Sequence, residues 1–345
     1  MSKTRVTFQD IADHTGFTKT TISRYFNHPE TVTPENREKI RRALEELGYR
    51  SNKIARILAK GETEFVGLIV PNLYLSYYAE ILEQFLKTYE TYGYKFIVFS
   101  GNQDAEVERR YIRELMEHNV RGLIVLSHTL PSAELAACGL PVVAVEREDR
   151  FVCSVNTDNH LGGREATRLL CRCGCEVLIH INKDEDQRHV PAYGRVTGFE
   201  EVGRESGRTH EILYYPPERD YRDLVQSIDR IIAEIGEQYP EKRKGIFCSN
   251  DEIAGLILAS LLRRYGRLPE EYRLIGFDGT TVSEHAVIPI STVRQQLDQI
   301  VIAAVGLLDR QIEARRQGKP LPPEYQMIPP VLIARATTPE TAGNR

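Results

Sequence analysis

The side chains of this 345-residue chain best equipped for chemistry fall into two sets. The first is a compact polar run near the N-terminus, Lys19-Thr20-Thr21-Ile22-Ser23-Arg24. A guanidinium pairs with guanine or phosphate, hydroxyls both donate and accept, and threonine methyls meet thymine, so this run suits a DNA major groove. The second set is dispersed, and most of its members follow a short apolar run: Tyr74, Tyr77 and Tyr78; Glu146 and Arg147; Asn250, Asp251 and Glu252; and Asp278. Arg195 joins them from the start of a helical segment, YGRVTGF. Carboxylates, an amide and an arginine make paired hydrogen bonds to vicinal hydroxyls, while tyrosine rings cover the apolar face of a sugar. Singly, such residues serve as caps or surface groups, and Asn250-Asp251 would be an ordinary helix start. Recurring after successive strands, they describe a pocket.

The elements that must carry the first set read as three short helices. Thr7, with Asp10 three residues on, makes a capping-box-like start, and Phe8, Ile11 and Ala12 then share one face. Gly16 supplies a turn in which a positive φ costs little. Thr18 caps a second helix at about 19–26 whose inner face holds Ile22 and Phe26. Thr33 and Pro34 begin a third, with Ile40, Ala43, Leu44 and Leu47 as its buried stripe and Gly48 as its end. Two helices joined by a glycine-containing turn, the second short and polar, describe a helix-turn-helix. Residues 52–60 keep helical spacing at Ala55, Leu58 and Ala59, but so short a helix is not stable alone.

From Phe65 onward, apolar runs alternate with longer amphipathic segments. Strands are expected at 65–70, 94–99, 122–126, 141–145, 177–181, about 245–248 and 273–277. Helices are expected near 76–92, 104–119, 159–173, 192–206, 220–238 and 250–264. That alternation implies parallel sheets covered on both faces, with ligands beyond the carboxyl ends of the strands.

Charge is unevenly shared. Residues 1–62 hold 12 Lys+Arg against 8 Asp+Glu, and the remainder holds 33 against 41. A basic head on an acidic body fits nucleic-acid contact by the head alone. No run approaches the ~18 apolar residues of a membrane span, and the N-terminus lacks a signal-peptide core, so a cytoplasmic location is expected. The triplet Cys171, Cys173 and Cys175 reads as the end of a helix and the entry to a strand, with Gly174 as breaker, and no second ligand group stands at a metal-binding spacing. Asp278 and Glu146 have the chemistry for acid–base work, but no GxxxxGK[ST], GxSxG or HExxH is present. No catalytic residue, metal or cofactor is expected.

The run VTFQDIADHTGFTKTTISRYFN resembles the N-terminal signature of the lactose-repressor (LacI/GalR) family, and the likeness continues through Thr33, Arg37 and Ile40 to Gly48-Tyr49. CSNDEIAGLILASL, LIGFDGTTVSEHAVIPISTVRQQ and TDNHLGGREA resemble that family's later segments. The resemblance implies a helix-turn-helix head at 1–50, a hinge helix at 51–62 and an α/β, periplasmic-binding-protein-like body of two parallel-sheet lobes at 63–345. In that division the first lobe takes about 63–160 and 293–322, the second about 161–292 and 323–340. It implies that Lys19, Thr20 and Arg24 face bases or phosphates while Thr7, Phe8, Ser23 and Asn27 touch the DNA backbone. It also implies that Asn52 and Ala55 belong to a hinge that folds on DNA and drives Leu58 into the minor groove as an apolar wedge. Ser51 stands where the family often has proline, which leaves the hinge less fixed beforehand.

For the body, the resemblance implies effector contacts from Arg195, Asn250 and Asp278, with Tyr77, Tyr78, Glu146 and Leu297 as further candidates. Glu146 replaces a common aspartate, and the loop at 184–192 differs from better-known members. Arg147, Arg188, His189 and Arg195 keep a phosphorylated or acidic sugar open beside a neutral one, and a purine or phosphoprotein partner is not excluded. The expected partners are a near-palindromic operator, a small sugar-like effector and a second copy of the chain. The terminal ATTPETAGNR shows no leucine heptad, so a dimer is expected rather than a tetramer.

Overall fold

A computed structural model describes residues 6–49, 63–101, 103–147, 150–183, 190–215 and 221–339. The chain divides into two compact units, one ending at Glu62 and the other beginning at Thr63.

The first unit holds α1 (Phe8–Thr15), α2 (Lys19–Asn27) and α3 (Pro34–Glu46). The capping box at Thr7 is formed: Asp10 N donates to Thr7 Oγ1 at 3.3 Å and Thr7 N to Asp10 Oδ2 at 2.7 Å. Gly16 ends α1 at φ 72°, so the turn into α2 uses the left-handed backbone that glycine adopts without a Cβ penalty. Ile11, Ala12, Ile22, Val32 and Ile40 are buried together, closed over by Phe8, Phe26 and Tyr49. Phe8 and Phe26 stack with centroids 5.1 Å apart.

The second unit contains two six-stranded sheets. The first has the order β11-β5-β4-β3-β1-β2, from β1 (Phe65–Val70), β2 (Lys95–Ser100), β3 (Leu123–Val125), β4 (Val142–Val145), β5 (Cys153–Thr157) and β11 (Tyr325–Ile328). The second has the order β12-β10-β9-β8-β6-β7, from β6 (Val177–Lys183), β7 (Thr209–Tyr215), β8 (Lys244–Cys248), β9 (Tyr272–Asp278), β10 (Ser291–Arg294) and β12 (Val331–Ile333). Every pairing is parallel except β10 with β12.

The first lobe carries α4 (Ser76–Lys87), α5 (Tyr89–Tyr92), α6 (Ala105–Glu117), α7 (Ser132–Ala137) and α13 (Leu297–Arg316). The second carries α8 (Asn159–Arg172), α9 (Gly194–Ser206), α10 (Tyr221–Gln238), α11 (Asp251–Tyr265) and α12 (Thr281–His285). Each sheet is buried on both faces: α4 and α13 cover Val66, Leu68 and Val143 on one side of the first, and α10 and α11 cover Ile179 and Ile246 on one side of the second. No helix among the described residues is long and apolar enough to cross a membrane.

Several elements escaped the periodicity reading. β5 is interior but carries buried Ser154 and Thr157, while β7, β11 and β12 lie at or near sheet edges and stay half exposed, so none shows a clean apolar run. The 20-residue α13 was also not anticipated, because IVIAAVGLL is apolar almost all round. The lobe boundaries need correction. Val293 and Arg294 pair with β9 in the second sheet, so the second crossing falls after them. β11 runs beside β5 in the first sheet, so the third crossing comes between Ile328 and Val331 rather than at 323. The cysteine triplet lies where α8 gives way to β6, with Gly174 at φ 73° and Cys173 and Cys175 buried.

Candidate functional site

In the first unit, α2 presents Lys19, Thr20 and Arg24 to solvent, while Ile22 is fully buried. Thr20 and Arg24 are four residues apart and share a face with Lys19 beside them, so the exposed side is a ridge of donors. Thr21 is half buried and its hydroxyl lies 3.0 Å from the Thr18 hydroxyl that caps the helix. Thr7 and Phe8 are likewise engaged in the fold, as cap and as stacked ring. Ser23 is half buried. On α3, by contrast, Arg41 and Arg42 are tied to Glu38 at 2.7 and 3.0 Å, and those bonds pull the Glu38 carboxyl down to about 2. Arg41 and Arg42 of α3 are thus matched by acids, whereas α2 has none in its first turn. The side chain of Asn27, and Asn52, Ala55 and Leu58, lie outside the described residues.

In the second unit, both sheets reverse strand order at equivalent places, β1/β3 in one lobe and β6/β8 in the other. Carboxyl ends at such switch points form crevices. Asn72 after β1, Ser127 and Thr129 after β3, Lys183 at the end of β6, and Ser249 and Asn250 after β8 line one cavity of about 600 Å³ between the lobes. Glu146 follows β4 and Asp278 ends β9, the matching strand of the other lobe. Both take left-handed backbone conformations, φ 53° and 99°. Such positions in non-glycine residues cost about 1–3 kcal/mol and cluster where function needs them.

These two acids sit against the chain crossings. Glu146 accepts from Thr157 N at 2.5 Å and from Asn159 Nδ2 at 3.1 Å. Asp278 accepts from Gln295 Nε2 at 2.7 Å, and Thr157 Oγ1 donates to Gln295 Oε1 at 2.5 Å, which joins the first crossing to the second. Arg195 closes the circuit from α9: Nε donates to Asn159 Oδ1 at 2.8 Å, Nη1 to Ser249 O, and Nη2 lies 3.4 Å from Asp278 Oδ1. Its guanidinium also lies 3.6 Å over the Phe277 ring. Tyr77 and Tyr78 form an edge-to-face pair on α4, and among the described residues the Tyr77 hydroxyl is buried without a hydrogen-bond partner, as is Ser249 Oγ.

Burial dominates the electrostatics. It pushes Asp278 up to about 6, against the pull of Arg195 and with help from Glu252. It also raises the Tyr77 phenol well above its ordinary value, with Glu146 and Asp278 adding to the effect. The site therefore offers carboxylate acceptors, an arginine and unpartnered buried hydroxyls around one cleft, which is the equipment to hold a small molecule rich in hydroxyls.

A family model described as bacterial regulatory proteins, lacI family, matches residues 7–52, and one described as periplasmic binding protein-like domain matches residues 154–338. The chain is 30% identical over 305 residues to a sucrose operon repressor of Pediococcus pentosaceus, covering 88% of this chain and 91% of the relative. The chain belongs to the lacI family of bacterial regulatory proteins. This lacI-family protein is also 29% identical to a ribose operon repressor of Halalkalibacterium halodurans over 334 residues, 96% of this chain and 97% of that one. A solved periplasmic binding protein/LacI transcriptional regulator from Alkaliphilus metalliredigens, complexed with D-xylulofuranose, aligns with a TM-score of 0.68 at 25% identity over 80% of this chain and 99% of that one. The lac repressor bound to ONPG shares the fold, with a TM-score of 0.80 at 19% identity over 97% and 100% of the two chains.

Of the residues singled out from this regulator's sequence, Tyr77, Tyr78, Glu146, Arg195, Asn250 and Asp278 line the same cavity. Asn250 doubles as the N-cap of α11, accepting from Ile253 N at 2.9 Å. Leu297 does not join them: it opens α13 and packs against the first lobe's core. Asp251 turns away into the second lobe, where Thr280 N at 2.6 Å and Thr292 Oγ1 at 2.6 Å donate to it. Arg147 is spent on Ser127 O at 2.7 Å and Leu130 O at 2.5 Å. Arg188 and His189 lie outside the described residues. Sequence reasoning missed Asn159, Gln295 and Thr157. The quoted stretches TDNHLGGREA and STVRQQ contained all three, but nothing local marks them as neighbours.

Proposed function

We propose that this regulator is a homodimeric transcriptional repressor, acting in the cytoplasm on a near-palindromic operator under the control of an uncharged sugar. It regulates and does not catalyse. The observation that carries the ligand reading is the Glu146–Asn159–Arg195–Asp278 circuit facing the orphaned Tyr77 hydroxyl. Phosphate recognition favours clustered, available cations. Here Arg195 is already bonded within the protein, and Glu146, Glu252 and Asp278 line the same cavity against Arg195 and Lys183. That balance favours neutral hydroxyls over a phosphoryl group. The similar proteins named for ribose and sucrose operons, and the similar structure holding D-xylulofuranose, support a sugar of this kind.

On the DNA side, Lys19, Thr20 and Arg24 read the major groove, Thr7, Phe8, Thr21, Ser23 and Asn27 set the helix on the backbone, and Asn52, Ala55 and Leu58 form the minor-groove hinge. Closing the lobes on ligand shifts a two-state balance by the ligand's differential affinity and so alters the grip on the operator. The test is thermal unfolding against free sugars, sugar phosphates, sugar acids and purines, followed by operator binding with any hit. A ligand at ~100 times its Kd adds roughly 2.7 kcal/mol, visible as a melting shift. A neutral sugar that shifts melting and changes operator affinity supports the reading. A response only to phosphates, acids or purines overturns the ligand class and leaves the DNA-binding role standing.

A further inference from the structure

The lobes also meet through a reciprocal pair of carboxylates away from the crossings. Glu252, in the first turn of α11, accepts from the backbone N–H of Ser76 at 2.8 Å, the first residue of α4 in the other lobe. Glu80, farther along α4, accepts from both the backbone N–H and the hydroxyl of Thr281, each at 2.9 Å, at the start of α12 in the second lobe. Neither helix has a side-chain cap of its own. Leu75 precedes α4 and has nothing to offer, while the Thr280 hydroxyl before α12 donates to Asp251 at 3.0 Å. The first-turn N–H groups of a helix need acceptors, and an anion there is favoured by the helix dipole. In this protein the second lobe supplies that anion to α4, and Glu80 of the first lobe supplies the acceptor for the Thr281 amide.

We infer that Glu80 and Glu252 are positioning residues that together form a two-point latch, holding the cleft closed and aiming its aromatic wall. Tyr77 and Tyr78 follow Ser76 directly, so the turn that Glu252 anchors is the turn that presents both rings to the cavity. Glu252 itself lines the cavity, so one carboxylate borders both the ligand space and the contact between lobes. The two contacts join the same two packed bodies. Once one forms, the second closes within a confined volume rather than from free solution, which makes the pair cooperative.

The test is amide hydrogen exchange on the full chain, with neither ligand nor DNA present, so its outcome is independent of the sugar reading. E252A should speed exchange at Ser76 by about tenfold, the protection expected of one hydrogen bond to a charged acceptor. It should also speed exchange at Thr281, which Glu252 does not touch, and E80A should act on Ser76 in the same crossed way. E252Q keeps an oxygen acceptor and should restore most of the protection at both amides. Unchanged exchange at Ile179, in the interior of the second sheet, verifies that the variants fold, and methionine variants, of similar length but with no oxygen acceptor, serve if an alanine variant does not. Effects confined to each variant's own partner amide would reduce the pair to two separate caps and overturn the latch.

Discussion

Arg195 reaches Asn159, Ser249 and Asp278 from one buried guanidinium, so its loss should be felt in two ways. Removing one partner of a buried ion pair costs about 3–5 kcal/mol because the other charge stays uncompensated. Arg195→Ala is therefore expected to melt well below wild type and to lose its melting response to the effector. A variant that still responds at wild-type ligand concentrations would remove Arg195 from the site. Asp251 gives a pH signature. Burial, with Asp278 adding, pushes its carboxyl from 3.8 in the ordinary state up to about 7. Between those values the folded protein keeps a proton that the unfolded chain has lost, so this contribution to stability is full at low pH and disappears as pH rises through about 7. His180 works in the opposite sense. Burial holds it down to about 3, so below its ordinary 6.5 the unfolded chain takes a proton that the folded one refuses. Comparing Asp251→Asn with wild type cancels the histidine. The melting temperature of the variant minus that of wild type should grow between about pH 5 and about pH 8. A constant difference would mean that Asp251 is ionised throughout.

The placement of Arg195 depends on how two helices cross. A Cβ on Gly198 would stand 2.3 Å from His160 O, and one on Gly163 would stand 2.3 Å from Arg195 O, so α8 and α9 touch backbone to backbone at two glycines. Arg195 is the second residue of α9, and Asn159, which orients it, is the first of α8. Gly198→Ala should wedge the pair apart at a cost of about 1–3 kcal/mol, as overpacking does elsewhere. The displacement reaches Arg195, so effector affinity should fall together with the melting temperature. Full affinity in a destabilised variant would show that the helix pair and the site are uncoupled.

For the whole molecule, regulation requires the head to sense what the body binds. The proposed link is the hinge bearing Leu58, an apolar wedge whose unstacking cost is offset by contacts on the bent duplex. Leu58→Ala should then weaken operator binding far more than binding to unrelated DNA, because loose binding is electrostatic and makes no use of a wedge. Titrations at one salt concentration, with operator and with random-sequence duplex, separate the cases. Equal losses on both would rule out insertion.

Local chemistry made some of this legible without a structure. Thr7, Gly16, Thr18, Thr33 and Pro34 mark the head's helices because caps and turns act within a few residues. Glu146, Asn250 and Asp278 were visible because parallel strands put whatever follows them at one edge of the sheet. Leu297 misled because an apolar residue at a helix start looks the same facing a cavity or a core. What tertiary structure alone decided is which distant residues meet. Thr157 bonds Gln295, Glu252 bonds Ser76 and Glu80 bonds Thr281 across separations of 138, 176 and 201 residues, distances over which sequence pattern carries no signal. The edge strand β11 joined the first sheet, not the second, for the same reason: its pairing with β5 is set by backbone hydrogen bonds that any side-chain pattern permits.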